Sequence, residues 1–502
     1  MDFVNSDIWR DLFVLPGNQI PVWAEVVRSV LRLVIGVLGA LGSVPFLVWG
    51  ERRLLALAQG RLGPNRVGPF GLLQPFADAL KLMLKEDITP TNVDKTLYYI
   101  APIVALVPVI MSVTVLPWNA SNDWGSVAPG LNIGILFLLA VASIEVYGVI
   151  LAGWSSNNKY SLLGGLRAAS QVISYELGLG LAVICVVLMT GSLGTQDIVR
   201  GYVSDPNGAR LVPVVGSELM NGQGVMLVKQ IAGSHYTMLE HQAQSGFWDW
   251  NFLRLFPLGM IAAFVYMVSM IAETNRAPFD LPEAETELVA GFHTEYSSFK
   301  FAMFFMGEYA NMLIVSAICV TLFFGGYLAP LGFLSQLPAQ AMSINPPLVN
   351  FINHALIAPF WFVSKLVILI GFFILVRASY PRLRYDMLMR FGWKFLLPTA
   401  LVNVFLIALS MALQQQFQSF PAGKLLGHVL AVVTGLVIVF FVILGIKVGY
   451  DDRHKDELAP PLPGNGALAI TDAFYDDNRP VTPIRRPSTV TATPVGIPAV
   501  EV

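Results

Sequence analysis

The sequence predicts an all-α, polytopic membrane protein with about nine transmembrane helices and one amphipathic helix at the membrane interface. Three observations carry that prediction. The 502 residues are 55% hydrophobic and only 13% charged, an apolar excess foreign to a soluble domain. Apolar runs of spanning length recur along the chain, and a helix needs roughly 20 residues to cross about 30 Å of hydrocarbon. Lys and Arg, finally, are divided unequally between the two sets of connecting loops.

The runs lie near 33–50, 97–118, 131–153, 168–190, 255–272, 301–328, 352–376, 395–414 and 425–446, the first and fifth being short. Loops 51–96, 154–167, 273–300 and 377–394 hold 16 Lys and Arg, whereas 1–32, 119–130, 191–254, 329–351 and 415–424 hold 8. The positive-inside rule then puts the first set in the cytoplasm, the N-terminus outside and the C-terminus inside. Residues 1–450 are expected to form the transmembrane unit, with 191–254 as a long outer-loop insertion. Residues 451–502 carry eight prolines and few large apolar side chains, so a disordered cytoplasmic tail is expected. Met1 to Pro21 has no basic segment followed by an apolar core, which argues against a cleavable signal. No internal repeat is visible.

Charges inside the spans are informative because each costs about 2.5–3.5 kcal/mol at mid-bilayer on insertion scales. Glu145, Glu176, Glu308 and Lys365 all lie well within apolar runs. The three glutamates fall roughly 12 Å from the cytoplasmic end of spans 3, 4 and 6 at 1.5 Å per residue. Lys365 lies a little deeper in span 7. Four helices with charge near one level predict a buried polar layer. The structural alternative is a Lys365–glutamate pair with the other acids neutral, and it leaves two acids unexplained.

The connection AETNRAPFDLPEAETELVAGFHTEY (272–296) adds Glu273, Asp280, Glu283, Glu285, Glu287 and Glu295 against one Arg276. Part of it reads as a helix start. Asp280 is an N-cap candidate, Pro282 lies in the first turn, and Glu283 closes a capping box. Capping and the helix dipole do not account for the remainder, because Glu283 and Glu287 share a face on which like charges repel. Crowded acids share protons, which suits a proton path.

In residues 51–87, Gly60, Gly63, Pro64, Gly68 and Pro69 break any helix, with Arg61 and Arg66 among them. From Gly71, Leu72, Leu73, Phe76, Leu80, Met83 and Leu84 recur at helical spacing with Asp78, Lys81, Lys85 and Glu86 interleaved. This predicts an interfacial amphipathic helix over 71–86. An ordinary surface helix gives the same pattern. An apolar ledge beside a basic turn also suits a lipid-soluble ligand arriving sideways.

Other chemistry is excluded. The chain has no phosphate-binding glycine loop, so no nucleotide is expected. His354 and His428 are single histidines near the outer ends of spans 7 and 9, which cannot ligate haem, and His235 and His241 have no metal-ligand companions. Two cysteines, Cys185 and Cys319, are too few for an iron–sulfur cluster. No metal, flavin or nucleic acid is expected on this chain.

The segments RLGPNRVGPFGLLQPFADALKL, SYELGLGLAV, AETNRAPFDLPEAETELVAGFHTEYS, FFMGEYANM and RASYPRLRYDMLM together resemble the H subunit of NADH:quinone oxidoreductase, the respiratory complex I family that includes mitochondrial NADH dehydrogenase subunit 1. The resemblance covers most of 30–190 and 255–415. It implies a bacterial plasma-membrane subunit that walls a quinone chamber and begins a proton path. The implied partners are the iron–sulfur and quinone-site subunits of the hydrophilic arm, the small and antiporter-like membrane subunits, and membrane lipid. Electrons are then supplied from a partner's cluster. The resemblance puts Arg52, Arg61, Asp78 and Lys81 at the chamber rim, Phe301 and Phe305 on its apolar wall, and Arg377 and Arg382 nearby. Glu51, Glu145, Glu176, Glu273, Glu283, Glu285, Glu287, Glu295 and Glu308, with Arg276 and Asp280 among them, correspond to acids of the chamber and path. The 191–254 loop, the ninth span and the tail depart from the family pattern. The alternatives are the equivalent subunit of a membrane-bound hydrogenase or ferredoxin-dependent complex, an autonomous proton-coupled transporter, and a passive anchor. A transporter is disfavoured by the missing repeat, and an anchor leaves the charges in four spans unexplained.

Sidedness is directly testable. Cysteines introduced into the tail should react with impermeant reagents only from the cytoplasmic side; a tail labelled only from outside would invert the topology.

Overall fold

The computed structural model describes residues 21–119, 125–128, 131–200, 202–204, 210–213, 237–238, 246–280, 291–330, 356–416, 429 and 432–433. Helix α1 (Val22–Ala58) is followed by a Gly/Pro turn and the short α2 (Gln74–Leu84). Next come α3 (Lys95–Ser112), α4 (Gly134–Ser155), α5 (Lys159–Thr190) and the single-turn α6 (Thr195–Arg200). Beyond the insertion lie α7 (Leu258–Glu273), α8 (Ser298–Phe323) and α9 (Ala358–Ser379). Helix α10 (Tyr385–Phe391) continues through a π-helical turn, Gly392–Leu396, into α11 (Leu397–Gln416).

Seven of the described helices are long and apolar enough to cross a membrane: α1, α3 with its 3-10 extension to Val115, α4, α5, α8, α9 and the α10–α11 run. The 16-residue α7 matches the short fifth apolar run. The protein is thus a multi-pass, helical membrane protein. The ninth run lies outside the described residues apart from the helical positions Val429, Val432 and Val433, and so does the whole of 451–502. The amphipathic helix over 71–86 is present as α2, three residues shorter at its start. It exposes Phe76, Leu80, Met83 and Leu84.

The fold is all-α as expected, and the insertion adds one short sheet. Within the 191–254 insertion, β1 (Tyr202–Ser204) pairs antiparallel with both β2 (Arg210–Pro213) and β3 (Thr237–Met238). Strands of two to four residues are too short to show alternation in sequence.

Helix ends follow local chemistry. Asp94 Oδ1 accepts hydrogen bonds from the backbone amides of Thr96 (3.1 Å) and Leu97 (3.3 Å), capping α3. Asn158 caps α5 by accepting from the Tyr160 amide (3.0 Å), and Gly191, left-handed at φ 69°, closes its other end. Small residues then let the spans approach closely. A Cβ on Gly148 of α4 would lie 2.6 Å from the Ala105 amide nitrogen of α3, and one on Gly164 of α5 would lie 2.7 Å from Gly291 Cα.

Helix α8 is the most enclosed of the spans. Its first third shares a core with α3, α4 and the 291–296 connection, built from Tyr98, Ala101, Ala105, Ala152, Phe292, Tyr296 and Phe304. That core fixes where the acid-rich connection meets the membrane. Gly148→Val would force α3 and α4 apart, and overpacking of this kind costs about 1–3 kcal/mol. A lowered thermal midpoint of the purified protein is expected; an unchanged midpoint would show that the α3–α4 contact tolerates a side chain.

Candidate functional site

Glu51 sits in α1 where the apolar run stops, and is only 4% exposed. Its carboxylate collects partners from three distant parts of the chain. Tyr309 of α8 donates its hydroxyl to Oε2 at 2.7 Å. Arg377, in the last turn of α9, forms an ion pair with Oε1. Arg276, from the connection after α7, approaches the same oxygen at 3.6 Å and lays its guanidinium 4.1 Å from the Tyr309 ring centroid. Two cations offset one desolvated anion, and the phenol satisfies its second oxygen. Arg276 Nε and Nη2 are buried without a hydrogen-bond partner among the described residues.

One residue further on, the chain turns outward. Arg52 forms an ion pair with Asp78 of α2, whose other oxygen accepts from Gln74 Nε2 at 3.1 Å. Trp49 Nε1 and Arg53 Nη1 both donate to the Phe70 carbonyl, at 3.1 and 3.0 Å. That turn needs Gly71: it is left-handed at φ 74°, and a Cβ there would lie 2.2 Å from the Pro64 oxygen. Phe46 of α1 meets Phe76 of α2 edge-on at 6.5 Å. Arg61 and Lys81 are exposed on this rim, Arg61 bonding Gln59 Oε1 at 2.7 Å.

The acids of the spans gather inward. Glu145 of α4 has Glu273, Glu308 and Glu176 within electrostatic reach and a hydrogen bond with Asn311. Glu176 also accepts a hydrogen bond from Ser143. A cavity of about 40 Å³ opens among α3, α4, α5, α7 and α8, with Glu145, Glu273, Asn311, Tyr266 and Ser112 supplying its polar lining. A water needs roughly 10–15 Å³ of such space, so the cavity has room for a few waters. Arg276 is within electrostatic reach of Glu308 as well as Glu51. The Glu51 cluster and the span acids are therefore neighbours.

The connection that joins them is held in place by α5 and by the residues after α9. Gln171 Nε2 donates to the carbonyls of Ala272 and Phe279, both at 2.8 Å. Asp280 is buried and pairs with Arg382 at 3.0 Å, while the Leu383 amide donates to the Pro278 carbonyl at 3.0 Å. Glu295 accepts from Asn158 Nδ2 at 2.6 Å, so this acid ties the connection to the start of α5. Phe301 packs edge-on against His293 at 5.5 Å, and Phe305 lies 4.6 Å from the Tyr309 ring. His293 Nε2 stands 3.8 Å from Glu308 Oε1. Burial pushes the His293 imidazole down to about 4, so it is neutral near pH 7. Between about pH 6.5 and 4 the unfolded chain takes up a proton that this site refuses, so acidification over that window favours unfolding.

Lys365 departs from the expected layer. Its ammonium donates to the carbonyls of Phe324 (2.7 Å), Gly326 (2.9 Å) and Leu328 (2.5 Å), 4.2 Å from the Trp250 ring centroid. Phe324 follows the last turn of α8, about 24 Å along that helix from Glu308 at 1.5 Å per residue. A flexible four-carbon stem lets the charge leave the apolar zone for a helix C-terminus, where carbonyls lack partners. Glu283, Glu285, Glu287 and the helix that Asp280 is expected to cap fall on 281–290, outside the described residues. Sequence reasoning also passed over Tyr309, His293 and Asn311. Tyr309 alone had a visible signal, directly after Glu308.

A sequence model of the family described as NADH dehydrogenase matches residues 31–408. Among relatives named as the H subunit of NADH-quinone oxidoreductase, that of Salinibacter ruber is 46% identical over 375 residues, 74% of this chain and 92% of the relative. An H subunit numbered 2, from Koribacter versatilis, is 42% identical over 402 residues, 77% and 97% of the two chains. One from Dehalococcoides mccartyi is 42% identical over 398 residues, 79% and 90%. The chain belongs to the family of NADH-quinone oxidoreductase H subunits.

The matched span begins before Glu51 and ends after Arg382, so both halves of the site lie inside the part shared with these relatives. Glu51→Gln would keep the side chain's size and leave two guanidiniums without their anion. Breaking a buried pair costs about 3–5 kcal/mol. Tyr309→Phe removes one hydrogen bond and should cost about 1 kcal/mol. Thermal inactivation of the purified assembly should rank the two in that order; equal sensitivity would remove the charge compensation from the account.

Proposed function

We propose that this chain is the membrane subunit of a proton-pumping NADH:quinone oxidoreductase in which it forms much of the quinone chamber and starts the proton path. Quinone slides from the bilayer past α2 and the Phe70–Gly71 turn and rests against Phe301 and Phe305. Electrons reach it from an iron–sulfur cluster on a partner subunit, and this chain holds no electron carrier of its own. Its partners are the iron–sulfur and quinone-site subunits of the hydrophilic arm and the small and antiporter-like membrane subunits. The setting is a bacterial plasma membrane, with the N-terminus outside and the C-terminus cytoplasmic.

One observation carries this reading: ionisable groups from Glu51 through Arg276 and Glu308 to Glu145, Glu273 and Glu176 lie within electrostatic reach of one another. Charge in the bilayer interior is costly enough to mark a pathway by default. Reduction of a quinone to a quinol takes up two electrons and two protons. A change of charge in the chamber is felt first at Glu51 and Arg276, and acids within electrostatic reach of one another pass it on as a redistribution of protons. His293, neutral and close to Glu308, is placed to donate to that carboxylate when the two approach. The names of the relatives favour this enzyme over a hydrogenase counterpart.

Glu176→Gln, Glu308→Gln and Glu287→Gln each remove a titrating site while preserving size. The variants should assemble, oxidise NADH normally with a soluble acceptor, and lose quinone reduction and proton pumping together. Assembled variants with normal turnover and normal pumping would reduce these acids to a structural role.

A further inference from the structure

We propose that Lys300 is a positioning residue for the quinone reaction, clamping the segment after α2 onto the start of α8 so that the chamber's two apolar walls keep one spacing. The inference rests on the reading of α2 and of Phe301 and Phe305 as those walls. Lys300 is 7% exposed, although it stands in the first turn of α8 at the cytoplasmic boundary. Its ammonium pairs with Asp87 at 3.1 Å and donates to Thr89 Oγ1 at 3.0 Å. It also lies 4.6 and 4.5 Å from the ring centroids of Tyr98 and Tyr99, at the start of α3. A cation so placed is desolvated on several sides, and aromatic faces and one carboxylate replace its water.

The two serines before it bind the same segment. Ser297 Oγ accepts from the Ile88 amide at 2.9 Å and donates to the Ile88 carbonyl at 3.2 Å. The Ser298 hydroxyl donates to the carbonyls of Leu82 (3.0 Å) and Lys85 (2.9 Å) at the end of α2. These are carbonyls that a helix terminus leaves unsatisfied, so the first residue of α8 caps α2. Ser298 does this from φ 54°, a conformation that costs a non-glycine residue energy and persists only where its surroundings impose it. Lys300 is the charged member of the clasp and the one that also reaches α3. Phe301 follows it directly, Phe305 lies one turn on, and Glu308 and Tyr309 lie on the turn after that. A shift of α2 is thereby transmitted to the chamber wall and to the Glu51 and Glu308 sites.

The test uses membranes containing the whole complex, with decylubiquinone as the quinone and hexacyanoferrate(III) as the soluble acceptor that counts assembled enzyme. Lys300→Met keeps the stem and removes the charge. It should raise the apparent KM for decylubiquinone about threefold or more while kcat moves less than about twofold, the size of effect expected from one coupled pair. Lys300→Arg should stay within about twofold of the parent, because the guanidinium can still pair with Asp87. Asp87→Asn should reproduce the KM rise, and combining it with Lys300→Met should add nothing. An unchanged KM in assembled Lys300→Met, or additive effects in the double variant, would overturn the proposal. If Lys300→Met does not assemble, Asp87→Asn decides alone: a raised KM supports the clasp and an unchanged one sinks it. An unchanged KM alongside lost turnover in Glu176→Gln and Glu308→Gln would refute the clasp and leave the proposed function standing.

Discussion

A single desolvated carboxylate organises the end of the helical bundle at which α1 leaves its apolar run. Once Glu51 is buried, its charge has to be met by partners held in register. Those partners come from α8, α9 and the connection after α7, separated from Glu51 by 258 residues for Tyr309 and 326 for Arg377. No one of these elements can shift without stranding a charge. Well-packed apolar residues would hold four elements together as firmly or more so.

What surrounds Glu51 extends that logic in two directions. Outward, Arg52 and Asp78 tether the amphipathic α2, so the rim and the buried cluster hang on consecutive residues of one helix. Inward, Arg276 stands between Glu51 and Glu308, and Glu145, Glu176 and Glu273 lie beyond it around a cavity with a polar lining. The spans are packed through small residues such as Gly148, and the polar cavity opens among them. In hydrocarbon, where no bulk water answers a polar group, acids at that depth are supported by one another, by amides and hydroxyls such as those of Asn311 and Ser143, and by whatever water the cavity admits. Their protonation is a property of the group and not of any single residue.

The connection between α7 and α8 anchors itself to its neighbours and also meets the acids of the spans. Asp280 pairs with Arg382 and Glu295 with Asn158, so two of its acids anchor it to neighbouring elements. Arg276 and His293 face the span acids instead. Composition alone cannot separate these settings, because what a carboxylate meets is decided by what stands across from it.

The described spans, the amphipathic helix α2 and the acids Glu145, Glu176 and Glu308 within apolar helices were legible in the sequence, because apolar length, helical spacing and the cost of a charge in hydrocarbon act along the chain itself. The short strands of the insertion were not, for two to four residues are too few to show alternation. Lys365 shows the same limit from the other side: its place in span 7 was readable, but its long stem takes the charge to carbonyls beyond the end of α8. Tyr309 inside α8, His293 in a turn and Lys300 at a helix start are ordinary residue types, and only folding brings them against Glu51, Glu308 and Asp87. Which acid meets which base is decided by convergence across hundreds of residues, a three-dimensional outcome that a one-dimensional pattern of charge and hydropathy does not encode.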